Sequence, residues 1–162
     1  MSNASPDPVD VQLPADARVA VVAARFNGHI TDELLAGCVR RLDELGLTRE
    51  HVEVHRVPGA FELPVAARVL AQTKRFSAVI CLGCVVRGDT PHFDYVAGEC
   101  ARGIQQVAIT ECLPVIFGVL TTNTEQQALD RAGLPGSGED KGYEAAVAAL
   151  ATAVTLASFL CC

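Results

Sequence analysis

Residues 87–92 form the segment of this sequence best suited to proton transfer beside an anion. Thr90 followed by Pro91 is typical of a helix start, because threonine accepts a hydrogen bond from the next turn and proline needs no amide partner there. This pattern predicts Thr90 as the N-cap and His92 as the second helical residue. Free amides there favour a bound anion, and an imidazole beside them is a group able to accept a proton. A capped helix that merely carries a histidine explains the same residues equally well.

Four other side chains could bind a substrate, and each also has a purely structural explanation. Phe26 follows a strand-like run, where it could stack on a planar heterocycle or cap the core. Glu62 lies in a turn, where its carboxylate could accept hydrogen bonds from sugar hydroxyls or stabilise a helix start. Arg131 could hold a phosphate through two parallel hydrogen bonds, although basic residues are ordinary near helix C-termini. Lys141 could equally be a solvated charge.

Seven cysteines and a net charge of -6 argue against several other kinds of site. Cys81 and Cys84 have the spacing of a redox pair, but both lie in an apolar strand-like run, where positions three apart point to opposite faces. We therefore interpret the cysteines, the Cys161-Cys162 pair included, as mostly buried, reduced thiols of a cytoplasmic protein. No spacing of Cys, His and Asp is typical of a metal site. The acidic balance argues against nucleic acid as the main partner.

Apolar runs of strand type alternate four times with segments of helical periodicity, which predicts a three-layer α/β sandwich on a parallel sheet. The expected strands are residues 18–24, 52–57, 78–86 and 115–120. The expected helices are residues 31–45, 63–73, 91–110 and 124–132, followed by a last helix after the glycine-rich turn 133–142. Ligands of such folds bind beyond the carboxyl ends of the strands. Those ends are residues 25–27, 58–62, 87–92 and 121–124.

The two ends of the chain have compositions of their own. Residues 1–16 are rich in Pro and Asp and lack the pattern of a signal peptide, so we expect a mobile arm or a strand lent to a neighbour. Residues 17–162 are expected to form a single domain. Residues 145–162 carry no charge, which raises the possibility of a membrane helix. Their abundance of Ala, Thr and Ser favours a packing helix, and no membrane association is expected.

Several segments of the chain resemble the lumazine synthase family. The two most specific are residues 57–64 (VPGAFELP) and residues 83–96 (GCVVRGDTPHFDYV). Matching segments of lower specificity are residues 25–27, 114–118 with 120–122, 130–133 and 141–142, in the family's order. The resemblance covers roughly residues 17–157. It implies a flavodoxin-like fold with a four-stranded parallel sheet.

The resemblance also implies a reaction, with no metal or organic cofactor. The substrates would be 5-amino-6-(D-ribitylamino)uracil and 3,4-dihydroxy-2-butanone 4-phosphate. The aryl amine would attack the ketone to form an imine, after which phosphate is eliminated and the enol tautomerises to a ketone. Ring closure with loss of water would then complete 6,7-dimethyl-8-ribityllumazine, in the penultimate step of riboflavin biosynthesis.

By the same resemblance, substrate contacts fall on residues near the strand ends, and His92 would shuttle protons. Those within one chain would be Phe26 on the uracil ring, Ala60, Phe61 and Glu62 at the ribityl chain, Cys84, Val85 and Val86 on the pyrimidine through main-chain groups, and Asp89 and Thr90 on the phosphate through their amides. Those from an adjacent subunit would be Phe117, Arg131 and Lys141, with Arg131 on the phosphate. The implied assembly is a homo-oligomer, a pentamer or a multiple of pentamers, with active sites between subunits.

Three features depart from the family's pattern. Cys84 stands where members usually carry Thr or another small residue, which is harmless if the contact is through the main chain. Asp89 places a carboxylate beside the phosphate site, so its side chain must turn outward or cap the helix. The turn over residues 134–140 is about two residues longer than in capsid-forming members. This favours a pentamer or a dimer of pentamers over a sixty-subunit shell.

Two other functions fit the same features. A riboflavin synthase of the same fold would convert lumazine supplied alone into riboflavin. A non-catalytic flavin- or lumazine-binding or shell-forming protein would keep the scaffold and release no phosphate from the two substrates. The presence of both His92 and Arg131 argues against the non-catalytic alternative.

Overall fold

The computed structural model describes residues 14–160, and in that range strands and helices alternate as expected for an α/β sandwich. Most of the expected N-terminal arm and the Cys161-Cys162 pair lie outside the described residues. The strands are β1 (Val19–Ala24), β2 (Val52–Val57), β3 (Ala78–Val86) and β4 (Val115–Thr122). The helices are α1 (Gly28–Glu44), α2 (Leu63–Gln72), α3 (His92–Glu111), α4 (Glu125–Leu129) and α5 (Lys141–Leu160). Short 3-10 turns over Arg49–His51 and Ala60–Glu62 precede β2 and α2.

The four strands form one parallel sheet in the order β2-β1-β3-β4. Because every strand runs in the same direction, all four carboxyl ends lie along one edge. The chain moves outward on one side from β1 to β2 and on the other side from β3 to β4. Strands β1 and β3 therefore flank the point where the winding direction reverses, which is where open α/β sheets bind ligands.

Both faces of the sheet are covered, which explains why β1 and the first part of β3 are apolar throughout. Val19, Val21 and Ala23 belong to the layer that contains buried residues of α1 and α5. Ala20 and Val22 belong to the layer formed with α2 and α3. The alternation follows from the two-residue period of a strand. The expected three-layer fold with a four-stranded parallel sheet is confirmed.

Cys81 and Cys84 lie in different core layers, so the expected placement of the two thiols on opposite faces of β3 is confirmed. Burial raises the pKa of the Cys81 thiol, with the nearby Cys100 adding to the effect. Burial, with a smaller contribution from the Glu125 carboxylate, raises the pKa of Cys84 to about 11. Both groups therefore remain protonated and weakly nucleophilic at neutral pH.

Helix α1 begins at Gly28, three residues earlier than the expected start at residue 31. Glycine favours non-helical states, so sequence preference alone does not place a helix start there. The structure supplies a tertiary reason, because the Thr31 hydroxyl donates a 2.8 Å hydrogen bond to the Ala24 carbonyl at the end of β1. Asn27, with φ of 55°, makes the turn between strand and helix in the left-handed region that asparagine tolerates.

The expected capping box at the start of α4 is confirmed, since the amide of Gln127 donates to the Thr124 hydroxyl and the Gln127 side chain accepts from the Thr124 amide. The helix nevertheless ends at Leu129 rather than at residue 132. The amide of Lys141 donates to the Arg131 carbonyl instead, at 2.9 Å. The helix therefore ends because the chain after α4 forms a main-chain hydrogen bond with the first residue of α5.

Helix α5 is long and apolar enough to cross a membrane by length and composition alone, which for a single helix is weak evidence. Its first half packs in the core through Ala145, Ala146, Ala149 and Leu150. The second half is more exposed, with Phe159 66% accessible. The packing of the first half agrees with the expected packing helix.

Replacing Gly142 with alanine should destabilise the fold, because a Cβ there would collide with the main-chain carbonyl of Leu34 on α1. Rigid backbone on both sides leaves little room for relaxation, so we expect a loss of ~1–3 kcal/mol in the free energy of unfolding. Gly138→Ala is the matched control, since nothing lies within 4 Å of a Cβ at that position. Urea titration of both variants tests the close approach of α1 and α5. Equal midpoints for the two would contradict it.

Candidate active site

A cleft of about 380 Å³ opens beyond the carboxyl ends of β1 and β3. Most of the residues predicted to contact substrate within one chain line it. From the ends of β1 and β2 come Phe26, Ala60, Phe61 and Glu62. From the end of β3 and the start of α3 come Cys84, Val85, Val86, Thr90 and His92. The cleft thus brings together aromatic faces, main-chain groups, a carboxylate and an imidazole.

Strand β3 continues past β1 and exposes main-chain groups to this cleft. Pairing between the two strands stops at Ala23 and Leu82, whereas pairing of β3 with β4 continues to Val86. The β1-facing edge of β3 therefore has no strand partner over residues 84–86. The Asn27 side chain donates one hydrogen bond to the Cys84 carbonyl, at 2.9 Å. The rest of this edge is suited to recognising a planar heterocycle with donors and acceptors along its rim.

Two phenylalanines of the cleft are far more exposed than is usual for aromatic side chains. Phe26 is 71% and Phe61 58% accessible in the single chain. The position of Phe26 is set by its amide, which donates to the Pro58 carbonyl and so ties the ends of β1 and β2 together. An aromatic face held open beside unpaired main chain favours stacking on a flat ligand over the alternative of capping the core.

Glu62 serves the local turn and the cleft at the same time. Its Oε2 atom accepts a 2.8 Å hydrogen bond from the amide of Gly59, which closes the turn before α2. The carboxylate also lines the cleft. Both explanations of Glu62 offered by the sequence are therefore compatible, because Oε1 is left to accept from a ligand hydroxyl.

The expectation for the start of α3 was partly wrong. Helix α3 begins at His92, and Pro91 already has right-handed helical angles and occupies the N-cap position without a side-chain hydrogen bond. Thr90 is exposed and does not cap the helix, so His92 is the first helical residue, not the second. Pro91 itself occupies the N-cap position, so it cannot also be the first helical residue after a Thr90 cap. The amide of Asp94 donates to the Pro91 carbonyl at 3.0 Å. The amides of His92 and Phe93, as at any helix start, have no intrahelical acceptor, which keeps the anion-binding argument intact.

Asp89 lies in the same loop but is exposed and does not line the cleft. The carboxylate is therefore not part of the cleft lining, which is compatible with an anion site nearby. It does not cap α3 either.

The remaining predicted residues, Phe117, Arg131 and Lys141, line a second pocket of about 460 Å³ along β4 and α5. An isolated antiparallel bridge between Ala132 and Asp140 closes the long turn at its base, which places Arg131 beside Lys141. One chain thus brings these three residues to one another but not to His92. Phe117 is 41% accessible at this edge.

The two cations of the second pocket are held differently. Lys141 contacts the carboxylates of Glu139 at 2.8 Å and Glu144 at 2.9 Å, which raise the pKa of its ammonium group, Glu139 contributing more. Arg131 donates through Nη1 to the Gln127 carbonyl at 2.8 Å. That bond uses one donor of a five-donor fork, so the guanidinium remains able to bind a further anion.

Sequence inspection missed several cleft residues that the structure reveals. Asn27, Phe93 and Val96 all line the cleft. The Asn27-Gly28 pair is a signal for left-handed backbone and could have indicated a turn that aims the side chain. Val96 lies four positions after His92, which puts both on one helix face. Among residues 14–160 no group of His, Cys, Asp and Glu could hold a metal ion.

Comparison with known proteins gives one consistent result. The family model of 6,7-dimethyl-8-ribityllumazine synthase matches residues 16–157. A 6,7-dimethyl-8-ribityllumazine synthase of Streptomyces coelicolor is 49% identical over 158 residues, which cover 98% of this chain and 96% of the relative. One of Arthrobacter sp. is 54% identical over 142 residues, 88% of this chain and 86% of the relative. One of Kineococcus radiotolerans is 58% identical over 139 residues, which cover 86% of this chain and 84% of the relative.

Proposed function

The chain belongs to the 6,7-dimethyl-8-ribityllumazine synthase family and is a transferase of riboflavin biosynthesis, and we propose that two copies of it form each active site. The cleft beyond β1 and β3 supplies His92 and most of the substrate contacts. The pocket along β4 supplies Phe117, Arg131 and Lys141 from the neighbouring copy. The observation that carries the proposal is the division of these residues between two pockets of one chain.

We propose that the first substrate, 5-amino-6-(D-ribitylamino)uracil, lies against the unpaired edge of β3. Its ring stacks on Phe26, and its polar rim meets main-chain groups of Cys84, Val85 and Val86. The ribityl chain extends along residues 60–62, where Glu62 accepts from its hydroxyls. The open aromatic face and the unpaired main chain support this placement.

The second substrate, 3,4-dihydroxy-2-butanone 4-phosphate, would bind with its phosphate at the start of α3. The amides of Asp89 and Thr90 contact it from one copy, and Arg131 contacts it from the other. The helix dipole and a bidentate guanidinium both favour a dianion there. Lys141 adds positive charge from the same neighbouring copy. The net acidity of the chain is therefore no obstacle to this local cationic site.

The reaction then follows from holding the two substrates together. The aryl amine attacks the ketone and water leaves to form an imine, while His92 relays protons between nitrogen and oxygen. The carbon next to the imine loses a proton, and phosphate departs from the following carbon with its C–O bonding pair into the site of Arg131. The resulting enol tautomerises to a ketone. A second attack by the ribityl-bearing nitrogen closes the ring with loss of water. Positioning two small substrates in this way can supply ~7–11 kcal/mol of the barrier reduction.

Assembly and location are part of the proposal. Residues 17–162 would act as one domain, in a cytoplasmic pentamer or a multiple of pentamers. A cyclic arrangement suits a site whose two halves lie on different surfaces, because head-to-tail interfaces whose rotation closes form rings. The long turn between residues 134 and 140 favours a small assembly over a shell. The four buried free cysteines among residues 14–160 are consistent with a reducing compartment.

We predict that His92→Ala slows turnover by ~10²–10⁴-fold without abolishing it, the usual size for a lost proton-transfer group. Purified protein is mixed with both substrates, and product absorbance, fluorescence and phosphate release are followed. His51→Ala is the control, because that histidine lies before β2, at the opposite edge of the sheet from the cleft. An unchanged rate for His92→Ala would remove it from the mechanism.

We predict that Arg131→Ala raises the apparent KM for the ketose phosphate by about 10- to 100-fold, since hydrogen bonds to a charged group contribute ~1.5–3 kcal/mol. The apparent KM for the uracil substrate should change little. Arg131→Lys keeps the charge but loses the forked pair of donors, so its KM for the ketose phosphate should lie between those of the wild type and Arg131→Ala. A defect confined to the uracil substrate would contradict the assignment of Arg131 to the phosphate.

A further inference from the structure

Arg87, the residue directly after β3, connects three elements around the start of α3. Its amide donates to the Thr122 carbonyl and extends the β3–β4 ladder by one bond, at 2.9 Å. Its Nε atom donates to Oδ1 of Asn123 at 3.0 Å, in the loop after β4. Its Nη2 and Nη1 atoms donate to the two oxygens of Asp94, at 3.0 and 3.4 Å. The guanidinium edge is thus divided between the end of β4 and the first turn of α3.

The face of the same guanidinium covers a residue of the cleft. The Arg87 Cζ atom lies 4.2 Å from the centroid of the Phe93 ring. Phe93 lines the cleft, whereas Arg87 does not. Arg87 therefore holds Phe93 and Asp94, the two residues that follow His92 in the first turn of the helix.

We propose that Arg87 is a positioning residue that fixes the first turn of α3 and so sets the place of the His92 imidazole over the cleft. The proposal rests on the role proposed for His92. Each contact is modest by itself, because the Arg87 side chain is 43% exposed and exposed ion pairs contribute little. The ion pair with Asp94, the stack on Phe93 and the bond to Asn123 all involve the same rigid, planar guanidinium group, so together they fix its position. A misplacement of about 1 Å at a catalytic group can cost up to ~10²-fold in rate.

The chain contains a second arginine with nearly the same contacts, which serves as a matched control. Arg75 pairs with both oxygens of Glu53, at 2.9 and 3.3 Å, and its Cζ lies 4.8 Å from the Phe76 ring centroid. This cluster lies before β3, at the amino edge of the sheet, opposite the cleft. Arg75→Met removes the same kinds of contact as Arg87→Met without touching α3.

The experiment measures steady-state kinetics of full-length Arg87→Met, Arg87→Lys and Arg75→Met, with unfolding midpoints and sedimentation to compare stability and assembly. We expect Arg87→Met to lower kcat by about 10- to 100-fold and to change both KM values by less than about threefold. Arg87→Lys keeps the charge but cannot reach Asn123 and Asp94 together, so its kcat should be intermediate. Arg75→Met should keep wild-type kcat. A raised KM for the ketose phosphate alone in Arg87→Met would instead indicate direct binding of phosphate by Arg87, and would overturn the proposal.

A double-mutant cycle with His92→Ala separates this proposal from the one on which it depends. If Arg87 acts through the imidazole, Arg87→Met should cost less than about twofold in the His92→Ala background. Equal fold-losses in both backgrounds would overturn the positioning role and leave the role of His92 intact. A wild-type rate for His92→Ala alone would overturn both.

Discussion

Strand β4 is the constraint on which the account depends, because it divides the residues of the site between two surfaces of one chain. The β3–β4 ladder is continuous to Val86 and Thr122. Val86 lines the cleft that contains His92, and Thr122 lines the pocket that contains Arg131. His92 and Arg131, for which we propose proton transfer and phosphate binding, thus lie in different pockets of the same fold. A second copy of the chain is the simplest way to bring them together.

The unequal lengths of β1 and β3 shape the cleft itself. Because β1 ends at Ala24 and β3 continues to Val86, main-chain groups at the end of β3 face open space instead of a neighbouring strand. Asn27 fills part of the gap by bonding the Cys84 carbonyl. The main-chain recognition that we propose would also explain why a cysteine at position 84 is compatible with the site. Cys84 as a whole is only 3% accessible, and burial raises the pKa of its thiol to about 11, so the thiol stays protonated.

Much of the fold could be predicted from the sequence, because apolar periodicity and helix-stop signals are local. Strands β2 and β3 were predicted at their observed limits, and the Thr124–Gln127 capping box was correct. The starts of α1 and α3 were misplaced, since the first depends on a bond from Thr31 to the end of β1 and the second on the angles adopted by Pro91. Asn27 and Arg87 act through partners 57 and 36 residues away, respectively, and no local pattern reports such contacts.

The claim that two copies share each site is tested most directly by mixing two damaged chains. His92→Ala and Arg131→Ala are co-expressed with different tags and purified as hybrid assemblies. They are assayed at a ketose phosphate concentration far below the raised KM of Arg131→Ala, where each variant alone is slow. With random mixing, about a quarter of the interfaces carry both intact halves, so activity should recover to about a quarter of the wild-type value. Activity no higher than the average of the two separate variants would show that His92 and Arg131 do not meet across an interface, and would contradict the account.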